Sequence, residues 1–311
     1  MRGGYFFMLL KFAIQDFIDD RKYNNSSEAN IRNIHYALKG FYEYCTEKEL
    51  LNIEDIKEEH VKNYMMSRHE KGDKPSTLNT RLLRIRSLFN YCVENEYVKT
   101  SPAKKVKRIK EDIRINYFTD EQVRQMLGYY RSLKQRDKRL YASRDYMLII
   151  FLLSTGFRRN ETTNVKWSHI NFEKKTIDVF GKNKILQTVA ITDGLAKELA
   201  AYYLFIKRYF NEKEIEYVFT NRYGNQLTTN AMHLIFKALS KKMNFEDVRL
   251  SAHTFRHTYC NRLASQGLSP FVVMKMMRHK SLSVTMKYIN IWDDELREIN
   301  DAHNPANNLI F

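Results

Sequence analysis

The chain has 311 residues, and its 52 Lys and Arg outnumber its 36 Asp and Glu, which gives a formal net charge of +16. A hydrophobic fraction of 43% excludes a disordered basic tail, and the length predicts two domains with cores of their own. The excess of positive charge favours a polyanionic partner, with nucleic acid the first candidate and an anionic membrane surface the second.

Two further patterns narrow the class of protein. The longest apolar run, 146–153, falls far short of the roughly 18 residues that a membrane-spanning helix needs. The three cysteines, Cys45, Cys92 and Cys260, are odd in number and lack C-x-x-C spacing. They indicate a reducing cytoplasm, and neither disulfide bonds nor a zinc site is predicted.

Residues 8–95 predict an all-α domain of four or five helices, because apolar residues recur at helical spacing throughout. Ser26 and Ser27 open the second helix, and Pro75 opens the fourth, since these residue types fit a first helical turn. An apolar stripe in the fourth helix begins at Leu78. These helices are enough to form a small domain with one core.

Three arginines, Arg81, Arg84 and Arg86, lie beside the apolar stripe of the fourth helix. A charged helix face is often only a solvated surface, and the alternative is a surface that contacts the sugars and phosphates of DNA. The spacing of these arginines does not separate the two interpretations.

Residues 101–114 predict a basic linker between the two domains. Pro102 disfavours helix at the residue before it. Four of the basic residues that follow are Lys104, Lys105, Lys107 and Arg108. One interpretation is a soluble spacer. The favoured interpretation is a segment that lies along the phosphate backbone of a duplex and adds salt-dependent affinity through counterion release.

The second domain, residues 115–311, begins with a capping-box pattern at Thr119–Gln122. The next predicted helix, 141–154, is apolar nearly all round, which is typical of a buried central helix. It ends at Gly156, so that Arg158 projects from a turn beside a rigid element.

From about Lys166 the spacing of apolar residues changes from that of helices to that of strands. Strands are predicted at 165–171, 176–180 and 185–191, with a tight antiparallel hairpin between the last two. Helices are predicted at 193–210 and 228–242.

A cluster of cationic and titratable residues follows. His253, Arg256 and His257 stand at i, i+3 and i+4, so they share one face of a helix. His279 falls near a helix break, and Tyr288 is predicted in a short final helix.

This set suits chemistry at phosphorus. A tyrosine hydroxyl has a pKa of about 10, so attack on a phosphate requires removal of its proton and neutralisation of charge. Arginine supplies a permanent, bidentate positive charge, and histidine exchanges protons near neutral pH. An H-x-x-x-H pair is also a spacing of zinc ligands, but the glutamate of H-E-x-x-H is missing, so no metal is predicted.

These residues also carry a resemblance to a known family. His253–His257, with His279 nine residues before Tyr288, resembles the H-x-x-R and His-to-Tyr boxes of the tyrosine recombinases, the family of phage integrases and Xer proteins. Thr155–Glu161 is similar to that family's first arginine box, T-G-x-R-x-x-E, and Gly181–Lys184 to its lysine on a hairpin turn. Four boxes in the right order are a specific signal, and the resemblance covers nearly the whole chain.

The resemblance implies a multidomain, mainly α fold. Its parts are an all-α, SAM-like core-binding domain over 1–100, the linker, and a mixed α+β catalytic domain with a small antiparallel sheet and a carboxyl-terminal tail. The family's first domain grips DNA, which favours the DNA-binding interpretation of the arginines in the fourth helix.

The resemblance also implies site-specific cutting and rejoining of DNA through a 3′-phosphotyrosyl intermediate, with neither cofactor nor metal. Tyr288 is the implied nucleophile, and Arg158 and Arg256 are implied to hold the phosphate oxygens. Lys182, or Lys184 in its place, is implied to protonate the leaving 5′-oxygen.

The remaining roles complete the implied site. His253 manages the tyrosine proton, His279 contacts a phosphate oxygen, and Glu161 and His257 support the cluster. One departure from the family pattern is Arg278, which stands where the family has a glycine. We expect this arginine either to add a phosphate contact or to strain the turn. A second departure is Asn160, where many members have serine.

The implied partner is double-stranded DNA with specific recombination sites. The resemblance implies a homo-tetramer on DNA that is a monomer in its absence, in a cytoplasmic, nucleoid-associated location, with the tail docking on a neighbouring subunit. Two alternatives remain: a type IB topoisomerase-like enzyme that relaxes DNA, and a DNA-binding protein without catalysis.

Overall fold

The computed structural model describes residues 8–111, 115–136, 140–180 and 186–288. The chain divides into two compact units, Met1–Ile113 and Arg114–Phe311. Each unit has its own hydrophobic core, so we describe each by itself. The mainly helical fold with one small antiparallel sheet confirms the predicted fold class.

The described part of the first unit consists of helices around one core. They are α1 (Leu10–Tyr23), α2 (Glu28–Glu47), α3 (Glu58–Glu70) and α4 (Pro75–Glu94). The Ser27 hydroxyl accepts a hydrogen bond from the amide of Asn30 at the start of α2, and Pro75 lies in the first turn of α4. The predicted helix starts in this domain are therefore confirmed.

The three arginines of α4 make contacts within the unit. Arg81 is 6% exposed, and its Nε donates to Asp73 Oδ2 at 2.9 Å. Arg84 Nη2 donates to Asn30 Oδ1 at 2.9 Å. Arg86 Nε donates to the carbonyl oxygen of Ala103 at 3.0 Å. We therefore drop Arg81 from the expected DNA surface, because its guanidinium is buried against a carboxylate. Arg84 and Arg86 are half-buried and also make contacts within the unit, and their contact with DNA stays a prediction.

The segment after α4 is packed against the helices instead of lying apart as a free linker. Ala103 is fully buried and Val106 is 5% exposed, and both belong to the core of the first unit. Arg86 holds both of their carbonyl oxygens. Asn79 fixes Ile109 by accepting from its amide at 2.9 Å and donating to its carbonyl oxygen at 2.8 Å. The apolar residues of this basic stretch thus extend the first unit beyond residue 100.

The four basic residues predicted to contact DNA from this segment are on its outer side. Lys104, Lys105, Lys107 and Arg108 are all exposed. Because the backbone beneath them is tied to α4, their positions on the surface of the unit are fixed.

The second unit contains helices around one sheet. Its described helices are α5 (Asp120–Arg136), α6 (Leu140–Thr155), α7 (Arg159–Thr163), α8 (Asp193–Tyr209), α9 (Thr229–Met243), α10 (Ala252–Ala264), α11 (Pro270–Met277) and α12 (Leu282–Thr285). A 3-10 turn, Met286–Tyr288, follows α12. The predicted capping box of α5 is present, since Thr119 and Gln122 exchange backbone-to-side-chain hydrogen bonds of 3.0 and 3.2 Å.

The sheet has the order β1-β2-β3 and is antiparallel, with β1 at Ile170–Asn171, β2 at Thr176–Phe180 and β3 at Leu186–Ala190. The predicted strand 165–171 is wrong for most of its length. Trp167–His169 forms a 3-10 turn, and the residues just before it pair with the segment around Tyr217 instead.

Helix α6 is the centre of this unit, as its apolar sequence predicted, and Phe151 and Leu152 are fully buried. It also buries an ion pair, in which Arg144 Nε donates to Asp145 Oδ1 at 2.8 Å. Burial raises the pKa of Asp145 to about 6 despite that arginine. Helix α10 packs against α6, so the rigid centre of the unit supports the predicted reactive helix.

The contacts of Arg86 predict the stability of the basic segment. Arg86→Met removes hydrogen bonds to two backbone carbonyls, each from a charged donor, so local opening becomes easier by about 2 kcal/mol. We expect trypsin to cleave between Lys104 and Arg108 roughly 30-fold faster in this variant, measured by mass spectrometry over time. Arg32→Met is the control, because Arg32 makes only an exposed ion pair. Equal cleavage of both variants would contradict the assignment.

Candidate active site

Helix α10 carries the predicted reactive residues and is held by a cap at its amino end and by the packing of Phe255. Its cap is Ser251, whose hydroxyl accepts from the amide of Thr254 at 3.2 Å. Phe255 is fully buried, with its ring 4.7 Å from that of Phe118 and 5.2 Å from that of Phe236. These contacts leave His253 exposed and His257 half-buried, while Arg256 is buried.

The turn after α6 brings the first arginine box against α10. Gly156 has a φ of +58°, and a Cβ there would lie 2.3 Å from the ring of Tyr259. Only glycine combines this left-handed conformation with such close packing. The close approach places the carbonyl of Gly156 within reach of α10.

The carboxylate of Glu161 caps the start of α7 by accepting two hydrogen bonds from Arg158. The amide of Arg158 donates to Glu161 Oε2 at 2.8 Å, and its Nη1 donates to Oε1 at 2.6 Å. The side chain of Arg158 is 44% exposed, whereas that of Glu161 is 8% exposed. A buried carboxylate thus holds a guanidinium that still faces solvent.

Arg256 is held by backbone carbonyls. Its Nη1 donates to Gly156 O at 2.6 Å, and its Nη2 donates to Met277 O. Burial, together with the positive charges of Arg158 and Arg278, lowers the pKa of Arg256 to about 10, so it stays protonated at pH 7. A guanidinium has five N–H donors, and these two bonds leave three for another ligand.

The end of α11 supplies the next contacts. Arg278 caps this helix in the left-handed region with a φ of +54°, and its carbonyl accepts from Arg158 Nη2 at 2.7 Å. The next residue, His279, is hydrogen-bonded through Nδ1 to the hydroxyl of Thr285 at 2.8 Å. Because Thr285 is fully buried, it fixes the orientation of the imidazole.

Tyr288 reaches the cluster from the 3-10 turn. Its hydroxyl is hydrogen-bonded to Nδ1 of His257, and its ring stacks on that of His279 with centroids 6.4 Å apart. The rings of His253 and His257 are 4.0 Å apart. Tyr288 therefore contacts His257 directly, and His253, the histidine expected to manage its proton, stands one ring further away.

The ionisation of the cluster follows from burial beside arginines. Burial and nearby positive charges lower the pKa values of His257 and His279 to about 4 each. His253 is the most exposed of the three histidines, but burial of part of its ring and the charge of Arg256 also lower its pKa. Burial raises the pKa of Tyr288 to about 12. At pH 7 the site thus holds neutral imidazoles and a protonated tyrosine beside guanidinium groups.

The structure therefore gathers most of the predicted site. Seven predicted residues lie in one connected cluster: Arg158, Glu161, His253, Arg256, His257, His279 and Tyr288. The predicted lysine, Lys182, and its substitute Lys184 lie outside the described residues. Their roles stay predictions.

Sequence reasoning missed two parts of this arrangement. The first is the use of the carbonyls of Met277 and Arg278 as acceptors for the two arginines. The second is the ion pair between Arg278 Nη2 and Glu161 Oε2 at 2.9 Å. An arginine at the family's glycine position, with a carboxylate in the first box, was the available signal.

Two protein-family models match this chain. The model of the Phage integrase family matches residues 116–295, which is more than half of the chain. The chain belongs to the phage integrase family. A second model, the Phage integrase SAM-like domain, matches residues 9–109. The match ends where the packed basic segment ends, which agrees with its place in the first unit. This chain is accordingly an enzyme of DNA recombination, a tyrosine recombinase.

Curated relatives agree with this assignment. Tyrosine recombinase XerC of Leptospira interrogans is 25% identical over 88% of this chain and 87% of its own length. Tyrosine recombinase XerC of Bacillus pumilus is 24% identical over 90% of this chain and 92% of its own. Among solved structures, the Tn1549 transposon integrase in complex with transposon right end DNA superposes with a TM-score of 0.76. It is 18% identical and covers 93% of this chain and 98% of that one, which shows the shared fold.

Two kinds of structural feature are missing from the described residues. Within 8–111, 115–136, 140–180 and 186–288, the recombinase has no helix that is long and apolar enough to cross a membrane. The same residues contain no group of three or more His, Cys, Asp or Glu side chains placed to hold a metal ion.

The depressed pKa of His257 predicts how stability depends on pH. Between pH 6.5 and 4 the unfolded chain binds a proton at this histidine that the folded chain does not. Stability is therefore lost as pH falls through this window. Relative to His257→Asn, the wild type should lose about 1 kcal/mol more between pH 7.5 and pH 5, after discounting for partial exposure of the ring.

Denaturant unfolding of both proteins at the two pH values measures this difference. Other titrating groups, such as Asp145, are common to both proteins and cancel in the comparison. An identical pH dependence in the two proteins would show that His257 titrates normally in the folded state.

Proposed function

We propose that this recombinase cuts and rejoins specific DNA sites through a covalent 3′-phosphotyrosyl intermediate formed by Tyr288. The observation that carries the proposal is the contact of the Tyr288 hydroxyl with His257 inside a cluster that contains Arg256, Arg158 and His279. A nucleophile, a proton acceptor and fixed positive charge thus lie together.

The proposed step is a transesterification. The Tyr288 oxygen forms a bond to the scissile phosphorus, and the bond from phosphorus to the 5′-oxygen breaks. The proton of Tyr288 passes to a base, and the leaving 5′-oxygen receives a proton. Since the phosphotyrosyl ester conserves the bond energy, a 5′-hydroxyl reverses the step to rejoin a strand, and no external energy source enters the balance.

The two arginines suit the developing charge on the phosphate oxygens. Arg256 is oriented by two backbone carbonyls and Arg158 by Glu161, so neither needs to reorganise when charge develops. Preorganised donors of this kind contribute about 10²- to 10³-fold to rate in other enzymes. His279 supports them: in the tautomer whose Nδ1 accepts from the Thr285 hydroxyl, its Nε2–H can donate to a phosphate oxygen.

Two neighbouring imidazoles are available to accept the proton of Tyr288. The high pKa of Tyr288 means that a base has to accept its proton during attack. His257 is neutral and in contact with the hydroxyl, and the ring of His253 stands next to it. We assign acceptance of the proton to His257, and we keep His253, the base that the resemblance implies, as the alternative acceptor. Lys182 is proposed, on its place in the hairpin sequence, to protonate the leaving oxygen.

The proposed partner is double-stranded DNA, bound by a homo-tetramer at paired sites. The solved Tn1549 integrase is in complex with transposon DNA, which supports a DNA partner here. Exposed Lys104, Lys105, Lys107 and Arg108 supply charge for the phosphate backbone. The residues after Tyr288, proposed to dock on a neighbouring subunit, lie outside the described residues. We place this activity on the nucleoid in the cytoplasm.

The test of the nucleophile is a comparison of two tyrosines. Duplexes from DNA adjoining the gene are incubated with wild type, Tyr288→Phe and Tyr259→Phe, without metal or ATP, and adducts are resolved on denaturing gels. Tyr259 packs in the same apolar cluster as Tyr288, so it is a matched control. We expect an adduct with wild type and Tyr259→Phe and none with Tyr288→Phe. An adduct that survives Tyr288→Phe would reject this nucleophile, and relaxation of supercoils without paired sites would favour a topoisomerase.

The leaving-group role of Lys182 is tested with sulfur in place of the scissile 5′-oxygen. A thiolate leaves without a proton, whereas an alkoxide needs one. We expect Lys182→Ala to slow cleavage of the oxygen substrate by about 10²- to 10⁴-fold and to cleave the sulfur substrate at nearly the wild-type rate. Lys184→Ala is the paired variant. Equal loss on both substrates would show that Lys182 is not the acid.

A further inference from the structure

We propose that Arg278 is a positioning residue, which holds Arg158 and His279 in register by pairing with Glu161. The inference rests on the proposed function, since it concerns the geometry of the same site. Arg278 stands directly before His279, and its side chain points back into the protein, so it binds protein groups instead of the phosphate contact that the sequence allowed.

The side chain of Arg278 is almost fully buried. It is 5% exposed, and its Nη2 lies 2.9 Å from Glu161 Oε2, on a carboxylate that is 8% exposed. Its guanidinium carbon lies 4.5 Å from the centroid of the Phe157 ring. Ion pair and aromatic face together fix this guanidinium within the protein, where charged pairs are only weakly screened.

The backbone at this position is costly for arginine. A φ of +54° is the left-handed conformation that residues with a Cβ adopt only at a penalty, and glycine adopts it readily. An arginine at this position therefore lowers the stability of the folded backbone relative to glycine. It also makes a buried ion pair that glycine cannot make. This combination indicates that the side chain has a role at the site.

Three contacts close a ring around Arg158. Its Nη1 donates to Glu161 Oε1 at 2.6 Å, and its Nη2 donates to the carbonyl of Arg278 at 2.7 Å. The guanidinium of Arg278 closes the ring on the other oxygen of Glu161. Because the carbonyl that orients Arg158 belongs to the residue before His279, the ring couples the arginine directly to the histidine.

The ring also balances charge. Glu161 alone would place a buried negative charge near the phosphate-binding arginines. With Arg278 present, that carboxylate is paired with two guanidinium groups. Its negative charge therefore cancels less of the attraction between Arg158 and a bound phosphate. The burial of Glu161 by itself raises its pKa, but Arg278 and the bonds from Arg158 outweigh burial and hold the pKa below its ordinary value. The carboxylate is ionised at pH 7.

The test compares Arg278→Gly and Arg278→Lys with Asn244→Gly. Asn244 ends α9 in the same left-handed conformation, with a φ of +50°, so its glycine variant controls for backbone relief without touching the site. Each protein is measured for DNA affinity by filter binding and for single-turnover adduct formation at saturating protein, on the adjoining duplex that wild type cleaves.

We expect Arg278→Gly to slow adduct formation by about 10- to 100-fold, because a shift of about 1 Å in a positioned group has an effect of that size. DNA affinity should change by less than about threefold, a split that simple loss of folding would not produce. Arg278→Lys, which keeps the charge and loses the planar fork, should recover part of the rate. Asn244→Gly should match wild type.

A second pair of variants identifies the partner. If Arg278 acts through Glu161, then Arg278→Gly should cost much less in a Glu161→Gln background than in wild type. Unchanged rates in both Arg278 variants, or a rate loss equal in both backgrounds, would overturn the inference while leaving the proposed function standing. Absence of any adduct with wild type would overturn the proposed function itself.

Discussion

The arrangement of the site depends on one buried carboxylate, that of Glu161. Its two oxygens bind the exposed Arg158 and the buried Arg278, so one negative charge sets the positions of two positive ones. A carboxylate at 8% exposure is stable as an ion only with such partners. Removing it would leave two guanidinium groups close together without compensation. The remaining contacts of the cluster build outward from this pairing.

Backbone carbonyls extend the same principle to Arg256. At the end of α11, the carbonyl of Met277 accepts a hydrogen bond from Arg256, and the carbonyl of Arg278 accepts one from Arg158. Both arginines are thus bound to the backbone directly before His279. Burial, together with the nearby positive charges, lowers the pKa values of His257 and His279 and keeps these imidazoles neutral at pH 7. A site with permanent positive charge and neutral imidazoles can bind a phosphate and still accept a proton from tyrosine. In this account the arginines stabilise the charge on the phosphate, and the imidazoles accept the proton.

The sequence was sufficient for the residues that have a periodic or family pattern. Helix α6 was predicted from its continuous apolar composition, and the cluster on α10 from its helical spacing. The partners of charged side chains are harder to predict from the sequence, because an arginine that faces DNA and one that faces a buried carboxylate occur in the same sequence pattern. The resemblance favours a DNA contact for Arg81, but the structure pairs its guanidinium with Asp73. Asp73 lies eight residues earlier, before the start of α4, so helical spacing does not predict this contact. The packing of the basic segment through Val106 was hidden by the lysines around it.

The most direct test of the account is identification of the atom that joins protein to DNA. The adduct is trapped, digested with nuclease and protease, and sequenced by mass spectrometry, with the polarity of the joined strand read from its free end. The account predicts one nucleotide-bearing peptide, with Tyr288 linked to a 3′-phosphate and a free 5′-hydroxyl on the other strand end. A link at another residue, or to a 5′-phosphate, would contradict it.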